Sequence, residues 1–225
     1  MIIGNGLIAN LFRENDRENV VFFASGVSNS LETDKSAFLR EENLIRKTIK
    51  ENPNKIFIYF STCSIYDSSK NGSSYVNHKL KMEQIVEELA DQYLILRVSN
   101  AVGKGGNPNL LMNYLVNAFH QEKEITVHTL ATRNLIDADD VKNITLKFIN
   151  ENSFNKIINV AYLENFSTIQ ILEILEKHFN KTAKTYLVKS GQSYLISIPE
   201  AEAYFAENKL TEKKEYLLRI IKRYY

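Results

Sequence analysis

The chain predicts an α/β fold organised on a doubly wound parallel sheet, and three observations carry that prediction. Three apolar runs of strand length, NVVFFA (19–24), KIFIYF (55–60) and YLILRV (93–98), lack polar–apolar alternation, as strands covered on both faces require. Longer segments with apolar residues at helical spacing separate them, and parallel strands linked by right-handed helical crossovers are how such an alternation packs. The 225 residues, 44% hydrophobic, suffice for one domain with a sizeable core, or one domain with a small lobe.

Residues 1–3 form a short apolar strand that runs into Gly4-Asn5-Gly6, and a helix follows over 7–15. The strand 19–24 leads to a helix over 36–50 with Phe38, Leu39, Ile45 and Ile49 near helical spacing. Asn52-Pro53 ends it, because a residue before proline avoids helical backbone. The strand 55–60 opens onto a polar loop, 61–73. Residues 75–90 read as a helix whose apolar stripe is Leu80, Ile85, Val86 and Leu89, and 93–98 as the next strand. Past Gly103 the texture changes to a Gly/Pro/Asn loop over 104–109, a helix over 109–120, short strands within 125–136, a helix over 139–150 and a strand over 156–160. A helix over 167–178 is opened by Ser167 as its N-cap. A strand over 185–188 and two helices, 199–207 and 211–225, close the chain. No repeat, low-complexity tract or linker is evident.

Basic and acidic side chains nearly cancel, 28 against 27, so no long-range field gathers nucleic acid or an anionic membrane. No apolar run approaches the roughly 20 residues of a membrane span. The opening MIIGNGLIANLF lacks the basic start and cleavage site of a signal peptide. The single cysteine, Cys63, excludes an internal disulfide and a multi-cysteine metal site and suits a reducing cytoplasm. His78, His120, His128 and His178 are scattered without ligand spacing, so no metal enzyme is expected.

Two patterns carry chemistry. Gly4-x-Gly6-x-x-Ala9 lies between a strand and a helix, where glycines allow a tight turn and close approach of a pyrophosphate to backbone amides. A plain strand–helix turn is the simpler alternative. Tyr75-x-x-x-Lys79 opens an amphipathic helix, and only on a helix does that spacing place both side chains on one face. There an ammonium can stabilise a phenolate and bring a tyrosine toward working pH; a surface Tyr–Lys pair is the alternative. Tyr66 and Lys70 share the spacing, but their segment YDSSKNG is loop-like. Ser61-Thr62-Cys63-Ser64 directly follows the strand KIFIYF, at the carboxyl end where ligands of open parallel sheets bind. Helix capping or loop hydrogen bonding would also use such hydroxyls.

With these residues in order, the sequence resembles an extended short-chain dehydrogenase/reductase, the NAD-dependent epimerase/dehydratase family that modifies nucleotide-linked sugars. FFASG (22–26) resembles the strand end that lines the nicotinamide, and FSTCSIYD the family's Ser/Thr loop, with Thr62 at the catalytic hydroxyl position. SSYVNHKLKMEQ carries the YxxxK pair, LRVSNAVG (96–103) the substrate-contacting strand end with Asn100, and TRNLIDADDV (132–141) the segment whose arginine, here Arg133, binds a diphosphate. INVAYLENFSTIQILEIL resembles the strand and helix that follow.

The resemblance implies a Rossmann-like region over 1–103, to which segments around 134–160 add, and a mainly substrate-binding lobe with C-terminal helices over 104–225. It implies NAD or NADP as cofactor, held by Gly4, Gly6, Leu7, Ile8, Ala24, Ser25, Gly26, Ser61, Tyr75 and Lys79. Thr62, Tyr75 and Lys79 would be catalytic. Ser64, Asn100, Asn109 and Arg133 would meet a nucleotide-sugar substrate. A homodimer through the YxxxK helix and a role in a bacterial surface-polysaccharide pathway are further implications.

Two departures qualify it. The family has two further strands between the glycine-rich helix and the FFASG strand, the second ending in an acid that holds the adenosine ribose. Here Ala9 and Val20 are separated by chain for one helix only, so the adenosine wall is missing, and Asp16 and Glu18 read as solvated charges. Weak cofactor binding, or adenosine held by another subunit, is the expectation. Family dehydratases also carry an Asp-Glu pair after the Ser/Thr, where this chain has Cys63-Ser64, which disfavours 4,6-dehydration. In epimerising reductases of the family a cysteine near this point serves as acid/base, a role the resemblance leaves open to Cys63 with the register one residue off; a packed or hydrogen-bonded thiol is the favoured reading. A non-catalytic member that binds a nucleotide sugar or a partner enzyme is the alternative to an oxidoreductase or epimerase.

Overall fold

The computed structural model describes residues 1–108 and 110–225; the expectation for Asn109 therefore lies outside the described residues. In chain order the first half comprises β1 (Ile2–Ile3), α1 (Leu7–Leu11), β2 (Val20–Phe23), α2 (Lys35–Glu51), β3 (Ile56–Thr62), α3 (Ser74–Leu89), β4 (Tyr93–Val98) and β5 (Asn100–Val102). The second half comprises α4 (Leu111–His120), β6 (Ile125–His128), β7 (Thr132–Arg133), β8 (Leu135–Asp137), α5 (Ala138–Asn150), β9 (Lys156–Val160), β10 (Phe166–Ser167), α6 (Thr168–Phe179), β11 (Thr185–Val188), α7 (Pro199–Glu207) and α8 (Lys213–Tyr224).

Five strands form one parallel sheet in the order β1-β2-β3-β4-β9. Side chains alternate across it, which explains why the strands read as unbroken apolar runs. Phe22, Ile58, Phe60, Leu96 and Ile158 face one side with Phe12 and, from α5, Val141, Ile144 and Phe148. Val21, Phe23, Phe57, Tyr59 and Ile95 face the other with Ile45 and Ile49 of α2 and Met82, Ile85 and Val86 of α3. Each such fully buried side chain contributes about 1.5–3 kcal/mol before its conformational entropy is subtracted. The sheet ends at β1: among the described residues no strand lies outside it, as the short connection between Ala9 and Val20 requires.

Beyond this sheet, β5 pairs with β8 and β6 with β11 in parallel, while β7 pairs with β10 antiparallel. Helices α7 and α8 are tied back to α5 through Asp140, which accepts hydrogen bonds from Tyr204 and Tyr216 (2.8 Å each) and Arg219 (2.7 Å). Tyr216 stacks on Tyr162 with centroids 3.8 Å apart. No described helix is long and apolar enough to cross a membrane.

Local differences from the sequence reading have physical causes. α1 stops at Leu11 and tightens into a 3-10 turn, Arg13–Asn15, because the chain must turn straight into β2. The expected loop 61–73 is more ordered: β3 continues through Thr62, and 3-10 turns Cys63–Tyr66 and Ser68–Lys70 follow, capped by Thr62 and Asp67 accepting from Ser64 and Ser69 N–H groups. In α2, Leu39 is exposed while Glu41 is fully buried, so this helix seats a charge where its stripe suggested an alkyl group. Ser167 caps α6 in a full capping box with Gln170.

Candidate active site

A cleft of about 830 Å³ opens where the segments following β1, β2, β3 and β4 converge. Gly4, Gly6, Leu7 and Ile8 line it from the first, Ala24, Ser25 and Gly26 from the second, Ser61, Thr62 and Ser64 from the third and Asn100 from the fourth. Tyr75 and Lys79 enter from α3, and Arg133 from β7.

The glycine turn is built for close approach. Gly4 has φ +122°, and a Cβ there would fall 2.4 Å from the Ala24 carbonyl oxygen, so only glycine lets β1 pass the end of β2. Nothing lies within 4 Å of a Cβ placed on Gly6, so that backbone faces open cleft, while Ala9 is fully buried against the sheet. Asp16 and Glu18 are exposed and do not line the cleft.

Ser73 caps α3 by accepting from the Val76 N–H at 3.2 Å, which sets Tyr75 in the first turn. Tyr75 is buried beside Val27 and Val76, and its hydroxyl bonds to no other described residue. One turn on, the Lys79 ammonium donates to Glu41 Oε1 and the Phe60 carbonyl, both at 3.1 Å, and lies 4.5 Å from the Tyr59 ring centroid. Glu41 also accepts from the Tyr59 hydroxyl (2.8 Å), the Val27 N–H (2.7 Å) and His78 Nε2 (3.0 Å). Burial alone would raise this carboxyl, but the Lys79 charge and these donors outweigh it and hold it well below the ordinary carboxylate range.

Thr62 Oγ accepts from the Ser64 N–H at 3.0 Å, which orients the hydroxyl at the cleft wall. Ser61 turns its hydroxyl inward to Glu83, which is also gripped by Arg97, so only the rest of Ser61 borders the cleft. Cys63 is buried and donates to the Arg97 carbonyl at 2.9 Å; burial pushes its thiol up to about 12. Asn100 donates to the Asn134 carbonyl at 2.7 Å, and Arg133 to the Thr132 carbonyl at 2.7 Å. The second YxxxK pair separates as its sequence context suggested: the Tyr66 hydroxyl donates to Asn159 and Lys70 to Ser30 Oγ, each at 3.0 Å.

Several cleft residues were invisible in the sequence. Arg40, Lys70 and Lys104 line it alongside Lys79 and Arg133, whereas Asp67 is the one carboxylate among the described lining residues. The cleft is therefore electropositive in a chain of net charge +1, which suits ligands carrying phosphates. Tyr194 reaches it from the far end of the chain. Glu41 had one signal, its place four residues before Ile45 on the inward stripe of α2.

A model of the NAD dependent epimerase/dehydratase family matches residues 4–161. No curated protein matches the sequence. Among solved structures, the chain is similar to UDP-glucuronic acid 4-epimerase from Bacillus cereus in complex with UDP-glucuronic acid and NAD (19% identity, TM-score 0.70, 96% of this chain and 79% of that one). It is similar also to dTDP-glucose 4,6-dehydratase from Bacillus anthracis in complex with NAD (16%, TM-score 0.66, 97% and 78%). A third is RMD from Pseudomonas aeruginosa complexed with NADPH (13%, TM-score 0.69, 91% and 80%). At these identities the likeness shows the fold. The family match is the stronger finding, because it takes in the glycine turn, the Ser/Thr loop and the helix of Tyr75 and Lys79 over more than half the sequence: the chain belongs to the NAD-dependent epimerase/dehydratase family.

Proposed function

We propose that this chain moves a hydride between a nicotinamide cofactor, NAD or NADP, and a carbon of a nucleotide-linked sugar, as an epimerase or reductase. The observation that carries this reading is that Thr62 from the end of β3 and Tyr75 and Lys79 from α3 line one cleft with the glycine turn. The cleft suits the pyrophosphate and nicotinamide half of a dinucleotide: Gly6 leaves backbone open, Gly4 brings the β1 and β2 ends together, and the lining is cationic. The structural relatives bind UDP-glucuronic acid, NAD or NADPH, which supports the same ligand classes here.

A bound nicotinamide supplies the hydride acceptor or donor. Tyr75, whose hydroxyl has no partner among the other described residues, takes the proton of the alcohol being oxidised or gives one to the ketone oxygen being reduced. Thr62 already accepts from the Ser64 N–H, which leaves its own hydrogen to donate to that same substrate oxygen. Lys79 has two of its N–H groups on Glu41 and Phe60, and the third is available to a cofactor hydroxyl and to the negative charge that develops at Tyr75. Arg133 offers a planar guanidinium to the diphosphate, and Asn100 a side chain to the sugar or nucleotide.

Elimination is disfavoured. Cys63 is a buried thiol bonded to backbone, and Asp67 uses Oδ1 to hold the Ser69 N–H and hydroxyl, so among the described residues no acid–base pair stands beside Thr62. The test follows nicotinamide absorbance when the purified protein is given NAD(H) or NADP(H) with a panel of nucleotide sugars, with product analysis for inverted stereocentres. Turnover of at least one nucleotide sugar is expected. Tight binding of a sugar nucleotide without any hydride transfer would instead establish a non-catalytic member.

A further inference from the structure

We propose that Glu41 is the positioning residue of Lys79, holding the ammonium where it meets the cofactor. The proposal rests on the reading of the cleft as a nicotinamide site and adds a residue to it that makes no contact with the cleft. Glu41 is fully buried, and both its oxygens are committed: Oε1 to Tyr59 and Lys79, Oε2 to the Val27 N–H and His78. An ionised carboxylate only accepts, so His78 carries its hydrogen on Nε2.

Four elements thus meet on one carboxylate. Glu41 stands on α2, Lys79 and His78 on α3, Tyr59 on β3, and Val27 on the segment that leaves β2 past Ala24 and Ser25. Gly26 marks how tight the junction is, since a Cβ there would lie 2.8 Å from Glu41 Oε1 and 2.9 Å from Lys79 Nζ. The Lys79 ammonium is held on one side by Glu41 and the Phe60 carbonyl, with the Tyr59 ring close by, which leaves one N–H group for the cleft it lines. A buried ion pair is weak evidence for stability, because well-packed apolar residues of similar volume often serve as well. What apolar residues could not provide is a fixed direction for that remaining N–H and compensation of the ammonium's charge.

The test is a double-mutant cycle read by NADH and NADPH fluorescence titration on wild type, Glu41→Gln, Lys79→Met and the double variant. Glu41→Gln is expected to weaken binding of the cofactor that wild type prefers about tenfold, and to add almost nothing once Lys79 is methionine. The same loss in both backgrounds would show that Glu41 acts independently of Lys79 and would overturn the proposal. Should Glu41→Gln not fold, Glu41→Asp keeps the charge and withdraws it by one methylene. Weaker cofactor binding at unchanged thermal stability then supports the role, and unchanged binding rejects it. Failure of wild type to bind either nicotinamide would remove the cofactor reading and this proposal together, whereas additivity in the cycle removes only the role of Glu41.

Discussion

Gly4 and Ala24 stand so close that a Cβ on Gly4 would fall 2.4 Å from the Ala24 carbonyl oxygen, and Gly4 holds φ +122° besides. Gly4→Ala therefore meets both a backbone conformation that alanine rarely adopts and a collision with backbone. It should cost roughly 1–3 kcal/mol in stability and, by pushing β1 away from β2, weaken NADH binding. Urea unfolding and fluorescence titration of the variant check this; a variant as stable as wild type with equal affinity would contradict it.

The sheet ends at β1, and neither Asp16 nor Glu18 reaches the cleft, so little protein is available to the adenosine half of a dinucleotide. NADH should bind within about tenfold of reduced nicotinamide mononucleotide, since the adenosine portion adds few contacts. Calorimetric titration of both ligands measures the difference. A gap of several orders of magnitude in a monomer would mean that another part of the chain supplies the missing wall.

Cys63 sits against the Arg97 carbonyl, almost wholly buried, with its thiol pushed up to about 12 by desolvation. Only the thiolate is nucleophilic, so iodoacetamide at neutral pH should leave native Cys63 unmodified and alkylate it on addition of urea. Mass spectrometry before and after denaturation decides it. Rapid alkylation of the native protein would reopen an acid–base role for the thiol.

Glu41 has a pKa held below its ordinary value of 4.5, with burial opposing and the Lys79 charge and hydrogen-bond donors prevailing. A folded-state value below the unfolded one adds stability that is fully present above pH 4.5 and lost as pH falls from there toward the folded value. Between pH 4.5 and about 3, wild type should lose stability more steeply than Glu41→Gln, by up to about 1.4 kcal/mol per pH unit, the contribution of one proton. Urea unfolding at stepped pH gives both slopes; parallel slopes would refute the linkage.

Much of this architecture could be read from the residues. VVFF and KIFIYF declared strands buried on both faces, and the glycine turn, the Ser/Thr loop and Tyr75-x-x-x-Lys79 fell in their expected order along the first half of the chain. Helical context also separated Tyr75–Lys79 from Tyr66–Lys70, whose hydroxyl and ammonium go to Asn159 and Ser30. What stayed hidden depends on long-range contact. Glu41 has only its place on the inward stripe to mark it until α2 is laid against α3, thirty-eight positions on, where Lys79 requires a counter-charge. Tyr194, Arg40 and Lys104 belong to no local pattern, and only the folding of distant loops over one cleft brings them together. The exposure of Leu39 beside buried Glu41 shows the same limit, since helical spacing marks a face without saying which of its residues will be charged.

In the proposed mechanism the Tyr75 hydroxyl moves the substrate proton. Tyr75→Phe removes that oxygen and keeps the ring packed against Val27. With a nucleotide sugar that wild type turns over, kcat should fall about 10²–10⁴-fold, while the fluorescence-titrated Kd for the nicotinamide cofactor changes by less than about threefold. Turnover by Tyr75→Phe at the wild-type rate, with cofactor bound as before, would contradict the mechanism.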